Sequence, residues 1–184
     1  MISYHESLAA LSGHHTSQFG SVDMIVTAVK LVEEMGEYID AAEADEIWDE
    51  LGDVLVTLAI LAHRSGGEPS RAFADTISGS RGERSFLSHS YNSAGSLLSE
   101  LGKIARLAIR KYEGRESSTW QVDLALSIQN ALFLLSQHQG CWEISDLGKA
   151  FEAGSARFLD REWDVRRVPE ATCTRDGDES SETP

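Results

Sequence analysis

Two short acidic blocks carry the residue types and spacing that suit cation chemistry. Glu33, Glu34 and Glu37 stand in Lys30-Leu31-Val32-Glu33-Glu34-Met35-Gly36-Glu37, and Glu50 and Asp53 stand in Glu50-Leu51-Gly52-Asp53-Val54-Leu55. On a helix, Glu33 and Glu37 stack one turn apart, and both Glu34/Glu37 and Glu50/Asp53 are neighbours at i, i+3. If two such helices pack side by side, four or five carboxylates converge on one groove. Unit charges 4 Å apart repel by about 4 kcal/mol at an effective dielectric of roughly 20. A hard divalent cation turns that repulsion into coordination, and all-oxygen ligation suits Mg²⁺ or Mn²⁺, with waters and substrate phosphates filling the remaining positions. Neither block contains a histidine, which disfavours a di-iron site built on Glu-x-x-His. The bland alternative is that these acids line the solvated faces of ordinary helices. Two acidic sets, each beside an apolar stripe and the second running into Val-Leu-Val-Thr-Leu-Ala, make the functional reading the more specific one.

The elements that must hold these acids are helices. Ile25, Val29, Val32, Gly36 and Ile39 form one stripe at helical period in a helix over 21–42, with Ser21 as its N-cap and Asp23 in its first turn. Ile47, Leu51, Val54, Leu58 and Leu61 form a second stripe running to about Ser65, where Gly66-Gly67 supplies a stop and Pro69 a restart. A shorter helix follows over Ser70–Ile77, and 78–82 is loop-like by its Gly/Ser content. Helical patterns recur over Ser93–Tyr112, Thr119–Gln139 and Ser145–Trp163. Residues 165–184 are polar, acidic and aperiodic, and are expected to be disordered. The chain therefore reads as an all-α antiparallel helical bundle, with residues 1–88 carrying the acids and 89–164 repeating the plan.

The repeat has a chemical asymmetry. Laying Ser99-Glu100-Leu101-Gly102-Lys103 on the first block and Ser127-Ile128-Gln129-Asn130 on the second leaves Ser99, Lys103, Ser127 and Asn130 in the places of four of the five acids. Only Glu100 keeps its carboxylate, so the second half reads either as a degenerate repeat, aligned only with gaps, or as an unrelated helical partner that completes the core, and a metal site is expected in the first half alone.

Composition narrows the function classes. The 184 residues include 16 basic and 30 acidic side chains, a net charge of −14, which repels nucleic-acid phosphates and disfavours duplex binding. A nucleotide remains an acceptable ligand when a divalent cation sits between carboxylate and phosphate. The longest apolar run, Val54–Ala62, falls short of the roughly 20 residues of a bilayer span, and the first residues lack a signal-peptide pattern. A cytoplasmic location with no membrane partner is expected. Cys141 and Cys173 are too few for a disulfide framework and lack zinc-site clustering. No Gly-x-x-x-x-Gly-Lys-Ser/Thr loop and no strand-linked Gly-x-Gly-x-x-Gly is present.

The two acidic blocks resemble the E-E-x-x-E and E-x-x-D signature of the MazG-like all-α nucleoside triphosphate pyrophosphohydrolases, a superfamily that includes MazG, dimeric dUTPases and phosphoribosyl-ATP pyrophosphohydrolase. The resemblance covers about 17–84 and, more loosely, the second half, which is similar to the pseudo-subunit of a duplicated dimer. It implies Mg²⁺ held by Glu34, Glu37, Glu50 and Asp53, with Mn²⁺ as a substitute, and Glu33 or Glu34 orienting the attacking water. The implied reaction is attack at the α-phosphorus of a nucleoside triphosphate, giving monophosphate and pyrophosphate, with homodimerisation possible in the family. Candidate phosphate contacts are Lys30, Arg81, Arg84 and, as a cation in a lapsed acid position, Lys103. Phe19 and Trp48 are candidates to stack on a base, with core packing the better reading for Trp48, Trp120, Trp142 and Trp163. His14-His15 lacks a helical histidine partner and reads poorly as a ligand pair. Two other functions stay open: a catalytically silent helical module that binds a nucleotide or protein, and a phosphoribosyl-ATP hydrolase, for which the added half is less natural.

Overall fold

The computed structural model describes residues 4–20, 22–79, 93–137 and 144–161. Among them every regular element is a helix: α1 (Tyr4–Phe19), α2 (Met24–Asp40), α3 (Ala44–Arg64), α4 (Gly67–Ile77), α5 (Ser93–Tyr112), α6 (Trp120–Gln137) and α7 (Ile144–Asp160). The protein is all-α, and no helix among the described residues is long and apolar enough to cross a membrane. The expectations for Ser21, Arg81, Arg84, Trp142, Trp163 and the 165–184 tail concern residues outside those described.

Helix α3 is the axis of the fold. From Leu51 to Ala62 every side is covered except at Asp53, which is half-buried. A helix that is apolar all round must be enclosed by others, and α3 packs on α1, α2, α4 and α7, most extensively on α7 and α2. Helix α5 lies on α2 and α6, and α4 lies on α6. One buried core runs through all seven helices, from Leu8 and Leu11 of α1 to Leu147 and Phe151 of α7.

Local chemistry sets the α2–α3 hairpin. Asp23, in extended conformation, caps α2 by accepting from the backbone N–H of Ile25 at 3.4 Å. The cap is thus Asp23 in place of the expected Ser21. At the other end Glu46, in the first turn of α3, accepts from the N–H of Ala42 at 3.1 Å and clasps the short link between the helices. Asp45 and Glu46 at the start of α3, and His63 and Arg64 at its end, complement the helix dipole. Gly66 takes a positive φ of 107°, which only glycine adopts without strain, and Pro69 sits in the first turn of α4 where its missing N–H costs nothing.

The buried stripe of α2 differs from the expected one. Ala28, Leu31, Met35 and Tyr38 face the core, while Val29 and Val32 are 64% and 49% exposed and Gly36 is exposed. The two stripes have nearly the same period and lie about 100° apart on the helix. The larger side chains of Leu31, Met35 and Tyr38 bury more apolar area and decide the rotation. That rotation carries Glu34 inward and leaves Glu33 and Glu37 exposed. Helix α1 was not expected, because Ser7, Ser12, Gly13 and the two histidines mask a stripe reduced to Leu8 and Leu11, both fully buried.

Helices α3 and α7 cross at Gly52 and Gly154. A Cβ on Gly154 would stand 2.7 Å from the carbonyl oxygen of Gly52 and 2.8 Å from its carbonyl carbon, both rigid backbone atoms. Gly154→Ala is therefore expected to lower stability by about 1–3 kcal/mol through forced separation of the helices. Gly102→Ala on the exposed face of α5, where a Cβ meets nothing within 4 Å, should instead raise stability by up to about 1 kcal/mol. Urea unfolding of the two variants checks the opposite signs.

Candidate metal centre

The α2–α3 hairpin brings Glu34, Glu50 and Asp53 together, with one carboxylate oxygen from each lying within 4.8 Å of the others. Glu34 is 7% exposed because it continues the buried face of α2, one turn after Leu31. Glu50 and Asp53 sit one turn apart on α3 and are half-buried. Two cations touch the group. Lys30 Nζ lies 2.7 Å from Glu34 Oε1 and 3.0 Å from Glu33 Oε1. From α7, Arg157 donates to Asp49 Oδ1 and to the Asp49 carbonyl at 2.7 Å each, and to Asp53 Oδ1 at 3.2 Å.

The electrostatics are those of a site short of positive charge. Burial raises the pKa of Glu34, and Asp53 and Glu37 push it the same way, against the opposing pull of Lys30. Burial also raises the pKa of Glu50, helped by Glu37, Asp53 and Glu34. For Lys30, burial disfavours the charged form, but the bonds to Glu34 and Glu33 outweigh it and hold the ammonium on. Three converging carboxylates supply oxygen donors only, which fits Mg²⁺ or Mn²⁺ with water or phosphate in the open positions.

These acids edge a cleft of about 790 Å³, within the range of small-molecule sites. Lys30, Arg157 and the acids form its charged end. Val26 and Thr27 of α2 continue along one wall and Val56, Thr57 and Ile60 of α3 along another, and His15, Phe19 and Phe158 also line it.

Of the residues singled out in the sequence, Lys30, Glu34, Glu50 and Asp53 meet here, and Phe19 lines the same cleft. Glu37 is exposed and outside the three-acid group, although its charge is felt at Glu34 and Glu50. Glu33 is exposed, bound to Lys30 and off the cleft lining, so it is poorly placed to orient a water there. Lys103 pairs with Glu100 at 2.6 Å and does not line the cleft. Trp48 packs against the core, and Trp120 is buried with Nε1 donating to the Leu107 carbonyl at 2.8 Å. Sequence reasoning missed Arg157 and Asp49. Asp49 adjoins the second acidic block, but the reach of Arg157 depends on a helix crossing that no local pattern encodes.

The raised pKa values fix a pH dependence. In the folded chain Glu34 and Glu50 keep their protons above the ordinary value of 4.5, so between that value and their folded pKa the native state binds more protons than the unfolded one. Metal-free stability should fall as pH rises through this window and stay lower above it. Added Mn²⁺, which needs both acids ionised, should restore stability increasingly as pH rises. Glu50→Gln is expected to raise the metal-free melting temperature and to lose the Mn²⁺-dependent increase; thermal melts with EDTA or Mn²⁺ from acid to neutral pH read both effects. Compared with known proteins, the chain matches no protein family, no curated protein and no solved structure, so its chemistry has to be read from these side chains.

Proposed function

We propose that this protein is a divalent-metal-dependent nucleotide pyrophosphohydrolase, cleaving a nucleoside triphosphate to the monophosphate and pyrophosphate. The observation that carries the reading is the meeting of Glu34, Glu50 and Asp53 within 4.8 Å of one another at the charged end of a nucleotide-sized cleft. A bound Mg²⁺ would neutralise polyphosphate charge and lower the pKa of an attacking water. Glu34, Glu50 and Asp53 would hold it, with Glu37 adding its charge nearby. Lys30 orients Glu34 and pulls against the burial that raises its pKa. Arg157 is placed to exchange its bond to Asp53 for a phosphate oxygen, a bidentate role that suits guanidinium. With Glu33 off the cleft, orientation of the water falls to a cluster acid. Glu50 suits it best, since it has no ion pair among the described residues and can hold the cation through one carboxylate oxygen and the water through the other.

A two-half, MazG-like organisation is part of the proposal. Its support is the exchange in packing, in which α3 lies on α7 while α4 lies on α6, and the matching hairpins α2–α3 and α5–α6. Glu100 of α5 is buried and lysine-paired as Glu34 of α2 is, yet Ser127 and Asn130 replace the second pair of acids. One metal centre per chain follows. The silent binding module remains the second reading, favoured by the ion pairs through which Lys30 and Arg157 already meet Glu34 and Asp53.

Incubation with a panel of nucleoside triphosphates and Mg²⁺, followed by product separation, decides between them. Monophosphate and pyrophosphate are expected, whereas diphosphate and phosphate, or no turnover with any triphosphate, would reject the reading. Cleavage confined to phosphoribosyl-ATP would assign the biosynthetic alternative. Asp53→Asn should lower turnover by at least about 100-fold, the scale of losing a preorganised electrostatic contact. Arg157→Ala should act mainly on KM, raising it by about 10-fold or more, as expected for a charged hydrogen bond worth about 1.5–3 kcal/mol.

A further inference from the structure

We propose that the apolar stretch of the cleft, between Thr27 of α2 and the ring group His15, Phe19 and Phe158, is a nucleobase pocket that sets which nucleotide the protein accepts. The inference rests on the nucleotide reading above and adds the part of the ligand that the metal centre does not touch.

Thr27 supplies the first observation. It is 4% exposed, lines the cleft, and its Oγ1 has no hydrogen-bond partner among the described residues. A threonine inside a helix ordinarily returns its hydroxyl to the carbonyl one turn back. Thr16 does so to Ser12 at 2.8 Å, and Thr76 to Ala72 at 2.7 Å. The corresponding carbonyl for Thr27, that of Asp23, accepts from the N–H groups of Val26 and Thr27 instead. A buried hydroxyl left unpaired costs stability in the free protein, and such groups in native structures call for an explanation. A polar ligand edge would satisfy it.

The ring group supplies the second. His15 and Phe158 lie with their planes 9° apart and centroids 6.4 Å apart, and Phe19 is 5.0 Å from His15. His15 Nδ1 is buried without a hydrogen-bond partner among the described residues. Burial, with Arg64 and His14 nearby, lowers its pKa and favours the neutral imidazole, which both donates and accepts. Aromatic faces beside apolar Val26 and Ile60, with a hydroxyl and an imidazole nitrogen close by, match a flat heteroaromatic ring that also carries hydrogen-bonding edges. An aliphatic chain would leave Thr27 unsatisfied, and a bare polyphosphate would leave the rings uncovered.

Spacing supports the placement. Thr27 is two helical turns before Glu34, about 10 Å along α2 at 1.5 Å per residue. That rise is comparable with the reach of sugar and base from the phosphorus under attack. A triphosphate held at the acids therefore delivers its base to Thr27 and the rings.

The test uses neutral nucleosides with the full chain in EDTA, so that neither metal nor phosphate contributes. Saturation-transfer NMR across the common ribo- and deoxyribonucleosides should place the strongest saturation on base protons. Thr27→Val should weaken the preferred nucleoside by about tenfold relative to the others, the effect of one lost hydrogen bond, while raising the melting temperature. Phe158→Leu should weaken the whole panel, and circular dichroism checks its fold. No saturation of base protons by any nucleoside, or unchanged affinities in Thr27→Val, would overturn the proposal. Mn²⁺ binding followed by electron paramagnetic resonance separates the two readings: it should survive Thr27→Val and fail in Asp53→Asn. Its absence from the unaltered protein, with base saturation intact, would remove the hydrolase reading and leave the pocket standing.

Discussion

The repulsion among Glu34, Glu50 and Asp53 is tolerated because it is imposed by apolar burial elsewhere on the same helices. Leu31, Met35 and Tyr38 fix the rotation of α2 against α3, and Leu51, Val54 and Leu58 fix α3 within the core. Each buried side chain of this size contributes about 1.5–3 kcal/mol, so the packed face as a whole outweighs the cost of crowding three acids at its edge. The acids have little freedom to relieve their repulsion by turning outward, since Glu34 lies on the face that α2 must bury. Lys30 and Arg157 neutralise the acids in part.

Arg157 shows how distant parts of the chain are tied to this centre. It stands on α7 one turn after Gly154, and the contact of Gly154 with Gly52 brings α7 close enough for the guanidinium to span Asp49 and Asp53. Gly52 lies between those two aspartates on α3. A bulkier residue at Gly52 would meet Arg157 Nη2 at 2.9 Å and the carbonyl of Ala150 at 3.1 Å. The same absence of a side chain thus permits the helix crossing and clears the space for the cation.

How much of this was legible in the sequence depended on whether the information was local. The acid spacing, the all-helical class and the bounds of α5 followed from period, composition and breakers, and α3 was readable from its own stripe through Leu51, Val54, Leu58 and Leu61. The rotation of α2 was not, because two stripes of similar period compete and only the partner surfaces of α3 and α5 select between them. That error spread to the site, since it set Glu33, Glu34 and Glu37 side by side when the structure turns only Glu34 inward. Helix α1 was obscured by its serines, glycine and histidines, and with it went the contribution of His15 to the cleft. Arg157 is one of several cations on helical last turns, and nothing near it in sequence marks the crossing that gives it a role.

The enclosure of α3 also bears on how the chain can be divided. A fragment ending at Ile77 would keep Glu34, Glu50 and Asp53 yet strip α7 from the flank that carries Gly52, and would uncover the apolar residues of α3 that α7 shields. The acid-bearing part is therefore not a detachable module. The helices without the acids are part of what holds the acids in place, since α7 covers one flank of α3 and α5 covers α2.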